Sequence, residues 1–240
     1  MLATNFKLME DLSKVHNDYN YPHFKAHFYN FENFTGLEER DKFIDFELRT
    51  AEGKPVKISD FLDKPLVLET GSATCPKYAM HVKPMEEIVK KYPEFNFIVL
   101  YVRQAHPGNK IQCHTTLEGK IGSAKEAIRF YKDNRIVLVD DIDGKAHKVY
   151  GTLPNSIYVI GTDGVILFAN ANNSAKYLSP VLENIKNNKP TNNLKYRPAQ
   201  PGLYQSWVTL YKKGGYVSLR DFILDLPKLL WQHYKAGDLF

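Results

Sequence analysis

The stretch "LVLETGSATCPKYAMHVKPMEEIVKKY", residues 66–92, constrains the fold more than any other part of the chain. A run of branched apolar residues ends at Gly71, and a short polar loop then delivers Cys75 and Pro76 into a segment whose apolar residues recur near helical spacing. These are Ala79, Val82, Met85, Ile88, Val89 and Tyr92. A short apolar strand running straight into an amphipathic helix is the unit from which parallel sheets are assembled. Proline is favoured at the first helical position, so the spacing puts Cys75 at the helix N-terminus. Pro84, inside the same segment, predicts a kink.

The rest of the chain extends the pattern. "DKFIDFELRT" alternates apolar and polar residues and runs into an "AEGK" turn, which predicts a hairpin at the entry to the domain. "FNFIVLYV" (95–102) reads as a second buried strand, "SAKEAIRFYKDN" (123–134) as a helix and "RIVLVDD" (135–141) as a third strand. "SIYVIGTDGVILFAN" (156–170) is a hairpin about a Thr-Asp-Gly turn, and "SAKYLSPVLENIKNN" (174–188) closes as a helix. Strands alternating with helices and ending in a hairpin predict an α/β fold with a partly parallel central sheet, the layout of a thioredoxin-like fold.

Three regions follow: residues 1–40 as an aromatic N-terminal extension with weak helical periodicity near 5–16, residues 41–190 as the domain, and residues 191–240 as linker and helical tail. Residues 187–204 are rich in Asn and Pro, hence a linker. Beyond them two amphipathic helices separated by Gly214 and Gly215 would present Trp207, Tyr211, Phe222, Ile223, Leu226 and Trp231 to the core or to a second subunit.

Lys and Arg number 32 against 27 Asp and Glu, a net charge of +5, and the lysines are scattered, which argues against nucleic acid as a partner. Two cysteines in 240 residues make no disulfide scaffold, so a reducing cytoplasm is expected. Glu10 and Asp11 stand where a signal peptide would be apolar, and no apolar run reaches the length of a membrane span; the chain reads as soluble, with no membrane partner. His23 and His27 lie one helical turn apart without a further ligand, and "DDIDG" (140–144) lacks the closing Glu of a calcium loop; no metal or bound cofactor is expected.

At a helix N-terminus Cys75 would face unpaired backbone N–H groups and the positive end of the helix dipole. Both favour thiolate, so its pKa is expected below the free value of about 8.5. Ser72 and Thr74 could donate hydroxyl hydrogen bonds to the sulfur. A buried, inert cysteine is the bland alternative. Position 78 is Tyr, which excludes a Cys-x-x-Cys dithiol mechanism. Ser72, three residues before Cys75, suits a peroxiredoxin-like thiol peroxidase, but Leu68 stands where that pattern has proline.

"GSATCP", then "YVRQAHPG", then "IQCHTTLEGKIGSAKEAI", in that order, resemble the iodothyronine deiodinase family. The likeness runs over about residues 45–187, including "VDDIDGKAHKVYGTLPNSIYVIGTDGVILFAN". It implies a thioredoxin fold and reductive dehalogenation of an iodinated or otherwise halogenated phenol, with Cys75 in the selenocysteine position. It also implies His106 and His114 as active-site histidines, and Tyr101 and Ser72 as members of a hydrogen-bonded proton network. An external thiol reductant, of glutathione or thioredoxin type, would restore the enzyme, and a homodimer would be in keeping with the family.

The departures from the family are specific. Arg103 and Gln104 replace two glutamates, and Gln104 cannot shuttle a proton as a carboxylate does. "ANANNS" (169–174) replaces the stretch that carries a substrate-clamping arginine. Cys113, directly before His114, could resolve an oxidised Cys75 as an intramolecular disulfide, or be a loop cysteine without a partner. A hydroperoxide is the alternative substrate, and a non-catalytic thioredoxin-fold binding module is the alternative outside enzymes.

Overall fold

A computed structural model describes residues 19–191, 194, 196, 197 and 200–237. The helical periodicity near 5–16 lies outside the described residues, as does part of the Asn- and Pro-rich linker.

Seven strands form one mixed sheet in the order β2-β1-β5-β4-β3-β6-β7. β1 (Glu47–Thr50) and β2 (Pro55–Lys57) are the hairpin expected around "AEGK". β3 (Leu66–Gly71), β4 (Asn96–Tyr101) and β5 (Ile136–Val139) pair in parallel at the centre. β6 (Ile157–Ile160) and β7 (Ile166–Asn170) add the antiparallel hairpin along β3. β3 is buried over its whole length, so Leu66–Leu68 are apolar without alternation, and the buried Glu69 that follows is held by Arg135 and Asn173. Its Val67 and Leu68 face opposite sides and join two separate apolar clusters. Full burial of each contributes roughly 1.5–3 kcal/mol.

Helix α1 (Pro76–Lys91) starts where the sequence requires and continues through Pro84, whose missing N–H leaves the carbonyl of Met80 without its helical donor. α2 (Leu117–Tyr131) begins six residues before the expected 123. Thr116 caps it, its Oγ1 accepting from the Gly119 N–H at 3.1 Å, and this cap outweighs the low helix propensity of Gly119 and Gly122. A short helix, α3 (Lys145–Val149), was not anticipated in the "DDIDG" region. Asp140 holds its first turn, accepting from the N–H groups of Ala146 at 3.2 Å and His147 at 2.9 Å. α4 (Ala175–Lys186) closes the sheet's other face.

The tail differs from two simple amphipathic helices. α5 (Leu203–Trp207) runs into a π-helical turn (Val208–Gly214), and α6 (Tyr216–Lys235) follows. The diglycine is a docking point: a Cβ on Gly108 would stand 2.2 Å from the Gly214 carbonyl oxygen, which accepts from the Lys110 N–H at 3.1 Å. Of the six residues expected on the tail's apolar face, toward the core or a second subunit, Trp207, Tyr211, Ile223 and Trp231 are exposed, whereas Phe222 packs inward. The inner side of α6 mixes carboxylates with Phe222 and Leu229. Asp221 pairs with His23 at 2.8 Å, and Asp225 accepts from the Ala26 N–H at 2.5 Å.

That contact fixes residues 19–31 against the domain, and Arg103 secures them from beneath. Its guanidinium lies 5.0–5.2 Å from the ring centres of Tyr19, Tyr21 and Tyr29 and donates to the carbonyls of Tyr19 and Phe28. Among the described residues no helix is long and apolar enough to cross a membrane.

Candidate active site

Cys75 is the N-cap of α1, and its sulfur accepts from the Tyr78 N–H at 3.5 Å. The strand, loop and helix end therefore present the thiol as expected, but its acidity is the reverse of the expectation. Burial pushes the Cys75 thiol up to about 11, outweighing the hydrogen bonds from the Tyr78 and Lys77 N–H groups and the nearby Lys77 charge; buried Glu69 pushes it further the same way. The helix terminus acts on the thiol, but a site sealed from water costs a thiolate more than one helix end returns.

The seal comes from outside the central sheet. A cavity of about 330 Å³ lies over Cys75 and His106. Phe24, Tyr29 and Phe31 of the N-terminal segment wall one side, and Phe222, Leu226 and His233 of α6 wall another. His106 is buried, its ring 4.2 Å from that of Phe24 and 5.5 Å from that of Phe222. Its Nδ1 has no partner among the described residues. Desolvation lowers the His106 pKa to about 3, so the imidazole is neutral throughout the physiological range.

The other expected site residues gather beside the cavity around Gln104. Ser72 and Thr74 donate to Gln104 Oε1 at 3.2 and 2.9 Å, and not to the Cys75 sulfur as expected. Gln104 Nε2 donates to the Tyr101 hydroxyl at 2.7 Å and to His114 Nε2 at 3.2 Å. His114 then carries its proton on Nδ1, and burial lowers its pKa to about 3. Ser72 and Thr74 in turn accept from the N–H groups of Ala105 and His106, each at 3.0 Å. The hub thus fixes the backbone of the loop that carries His106. A carboxamide suits this place because it accepts two hydroxyls and donates twice, which an ionised carboxylate cannot do. Of the expected residues, Cys75 and His106 line the cavity. Ser72, Thr74, Tyr101 and His114 form the adjoining network.

Cys113 is a half-buried free thiol and is not among the described residues lining the cavity. The sequence reading missed the aromatic roof and the part played by Arg103. The signal was present as the cluster of Tyr and Phe at 19–31, but nothing local said what that cluster would cover.

These features define a thioredoxin-like protein with a single thiol at the strand–helix junction. An uncharacterized conserved protein from Geobacillus kaustophilus superposes with a TM-score of 0.52 at 15% identity, over 70% of this chain and 96% of that one. A putative thiol:disulfide interchange protein DsbE from Chlorobium tepidum gives 0.50 at 19%, over 62% and 97%. These likenesses speak for the fold alone.

The sequence profile of the iodothyronine deiodinase family matches residues 37–184, more than half of the chain, and the protein belongs to that family. Thyroxine 5-deiodinase of Sparus aurata is 24% identical over 127 residues, 48% of this chain and 47% of the relative. Type II iodothyronine deiodinase of Fundulus heteroclitus is 25% identical over 129 residues, 47% and 48%. The matched stretch spans about half the length of these curated relatives.

Proposed function

We propose that the protein is a thiol-dependent oxidoreductase that removes halogen reductively from an iodinated or otherwise halogenated phenol, with Cys75 as nucleophile. The observation that carries this reading is the shared cavity: a protonated thiol and a neutral imidazole with an unpartnered buried nitrogen line one aromatic-walled space. An aromatic ring fits the walls, and a phenolic hydroxyl can satisfy His106 Nδ1. Accepting that hydrogen bond pushes electron density into the ring and makes the halogen-bearing carbon a better proton acceptor.

The chemistry balances without an outside acid. The Cys75 proton goes to the ring carbon, the carbon–iodine bond breaks, and sulfur takes the iodine as a sulfenyl iodide. An external thiol then displaces iodide to give a mixed disulfide, and a second thiol releases Cys75 and the oxidised reductant. A thiol held at about 11 suits this order, because the proton stays on sulfur until a ring is there to receive it. The same high value weighs against hydroperoxide reduction, which needs a standing thiolate.

Where the family clamps a carboxylate with arginine, the "ANANNS" stretch contributes Asn172, which accepts from the Lys77 ammonium at 2.9 Å. Simple halophenols are therefore the expected substrates ahead of iodothyronines.

Iodide release from thyroxine, iodotyrosines and plain iodophenols, with dithiothreitol as reductant, tests the reading. Wild type should release iodide, Cys75→Ala should fall to background, and His106→Ala should lose at least about a hundredfold in turnover. No release from any substrate by the folded wild type would sink the dehalogenase and move hydroperoxides to the front.

A further inference from the structure

Helix α6 is apolar on two sides: Phe222, Leu226 and Leu229 face inward, and a second apolar stripe faces out. Its carboxylates turn toward the domain, where Asp221 is buried against His23 and Asp225 receives the Ala26 N–H. Its outer face carries Tyr216, Ile223, Leu224, Leu230, Trp231 and Tyr234, each between 45% and 67% exposed. At helical spacing these six fall within about a third of the circumference, so they form one apolar stripe instead of scattered surface residues. Leu203, 93% exposed, lines the same cavity as Leu230 of the stripe. Trp207, also exposed, follows Leu203 by one helical turn.

The charges that reach solvent on the π-helical turn and α6 are Lys212, Lys213, Arg220, Asp225, Lys228 and Lys235; Arg220 stands within the stripe and pairs with Asp221, and Lys235 is partly offset by Glu32 at 3.8 Å. Lys212 and Lys235 each lie over a tryptophan ring, at 5.2 Å from Trp207 and 5.8 Å from Trp231.

We infer that this face docks on an anionic phospholipid surface. Large apolar and aromatic side chains bordered by lysines match the acyl–headgroup boundary, where tryptophan and tyrosine sit at the interface and lysines meet lipid phosphates. Charge complementarity selects lipid over a second copy of the chain. An isologous contact through this stripe would set the same lysines against their own copies. The attachment is peripheral, since no described helix is able to span, and it departs from the sequence expectation of no membrane partner. Because Leu230 belongs to the stripe and lines the cavity with Leu203, the docked protein holds its cavity mouth against the lipid.

Of the chain's two tryptophans, Trp231 lies on the stripe and Trp207 is exposed on α5, so a change in intrinsic fluorescence reads the proposal. The full chain is titrated with vesicles of phosphatidylglycerol and phosphatidylcholine, beside vesicles of phosphatidylcholine alone. The emission should shift to the blue, the protein should co-sediment, and the anionic vesicles should bind it on the order of ten- to a hundredfold more tightly. Both effects should shrink in molar salt. Leu224→Glu, at an exposed site, should abolish binding with circular dichroism and Tm unchanged, and Lys228→Glu should weaken only the anionic arm.

Three results would overturn the inference. One is no shift and no sedimentation with either vesicle, which would leave an acidic protein as the partner. Another is a doubled mass in sedimentation equilibrium that Leu224→Glu returns to monomer. The third is a tryptophan emission that is already blue and shielded from acrylamide without lipid, which would mean the chain's own terminal residues cover the stripe.

Discussion

The pH dependence of Cys75 reactivity decides whether burial or the helix terminus rules the thiol. With Cys113 replaced by Ser, the rate of iodoacetamide alkylation between pH 6 and 11.5 isolates Cys75. Burial holds its pKa near 11 against an ordinary 9.0, a gap of two units. At pH 7.5 the thiolate fraction, and with it the rate, should then be about a hundredfold below that of a free cysteine. The profile should still be climbing at pH 10. A thiol raised in the folded state also has a fixed thermodynamic sign. The unfolded chain loses its proton first, so folding stability should fall by about 2 kcal/mol from this group as pH rises from 9 to 11. Opening the roof supplies the control: Phe222→Ala removes a wall of the cavity and should bring the midpoint down toward 9. A midpoint below 8.5 in the otherwise wild-type cavity would refute the reasoning. The helix end and the Lys77 charge would then outweigh desolvation, and the proton order proposed for dehalogenation would have to be abandoned.

Two other outcomes follow from the same coordinates. Arg103→Met strips donors from the Tyr19 and Phe28 carbonyls and removes the cation from the tyrosine cage. It should cost about 2–4 kcal/mol in urea unfolding and make residues 19–31 the first site of limited proteolysis; equal resistance to protease would mean the segment is held from above alone. Acid should unfold the protein early. Burial lowers the pKa of His81 to about 4 and of His106 and His114 to about 3, and that of His147 also falls, so the folded state stays neutral while the unfolded chain takes up protons below about 6.5. Stability should therefore drop by about 5 kcal/mol between pH 7.5 and 5.5, as read by denaturant midpoints, and a flat profile there would contradict the burial of these rings.

What could be seen in the sequence was what is local. The "PLVLET" stretch (65–70), the turn at "AEGK", the Thr-Asp-Gly hairpin and Pro76 each encode their element within a few residues, and each element formed where expected to within a residue or two. The start of α2 was misplaced because a threonine cap overrode two glycines of low propensity. Which side of α6 faces inward was left open for a related reason. Apolar spacing marks a stripe but does not say which stripe faces inward, and here inward orientation was set by two carboxylates meeting a histidine and a backbone N–H some two hundred residues away.

The same limit governs the site. Motif spacing located Cys75 and His106, but the acidity of both is set by Phe24, Phe31 and Phe222, which come from segments with no fixed spacing to either. Arg103 and Gln104 show this most directly. Read as substitutions, they remove two carboxylates; in the fold, Arg103 fastens the roof and Gln104 fastens the loop that carries His106. A buried glutamate at position 104 would need a proton to donate to Tyr101, whereas the amide makes all four contacts while uncharged. The network beside the thiol is therefore built to hold geometry without moving protons. In the proposed dehalogenation the proton for the ring carbon would then come from inside the cavity, from the Cys75 thiol.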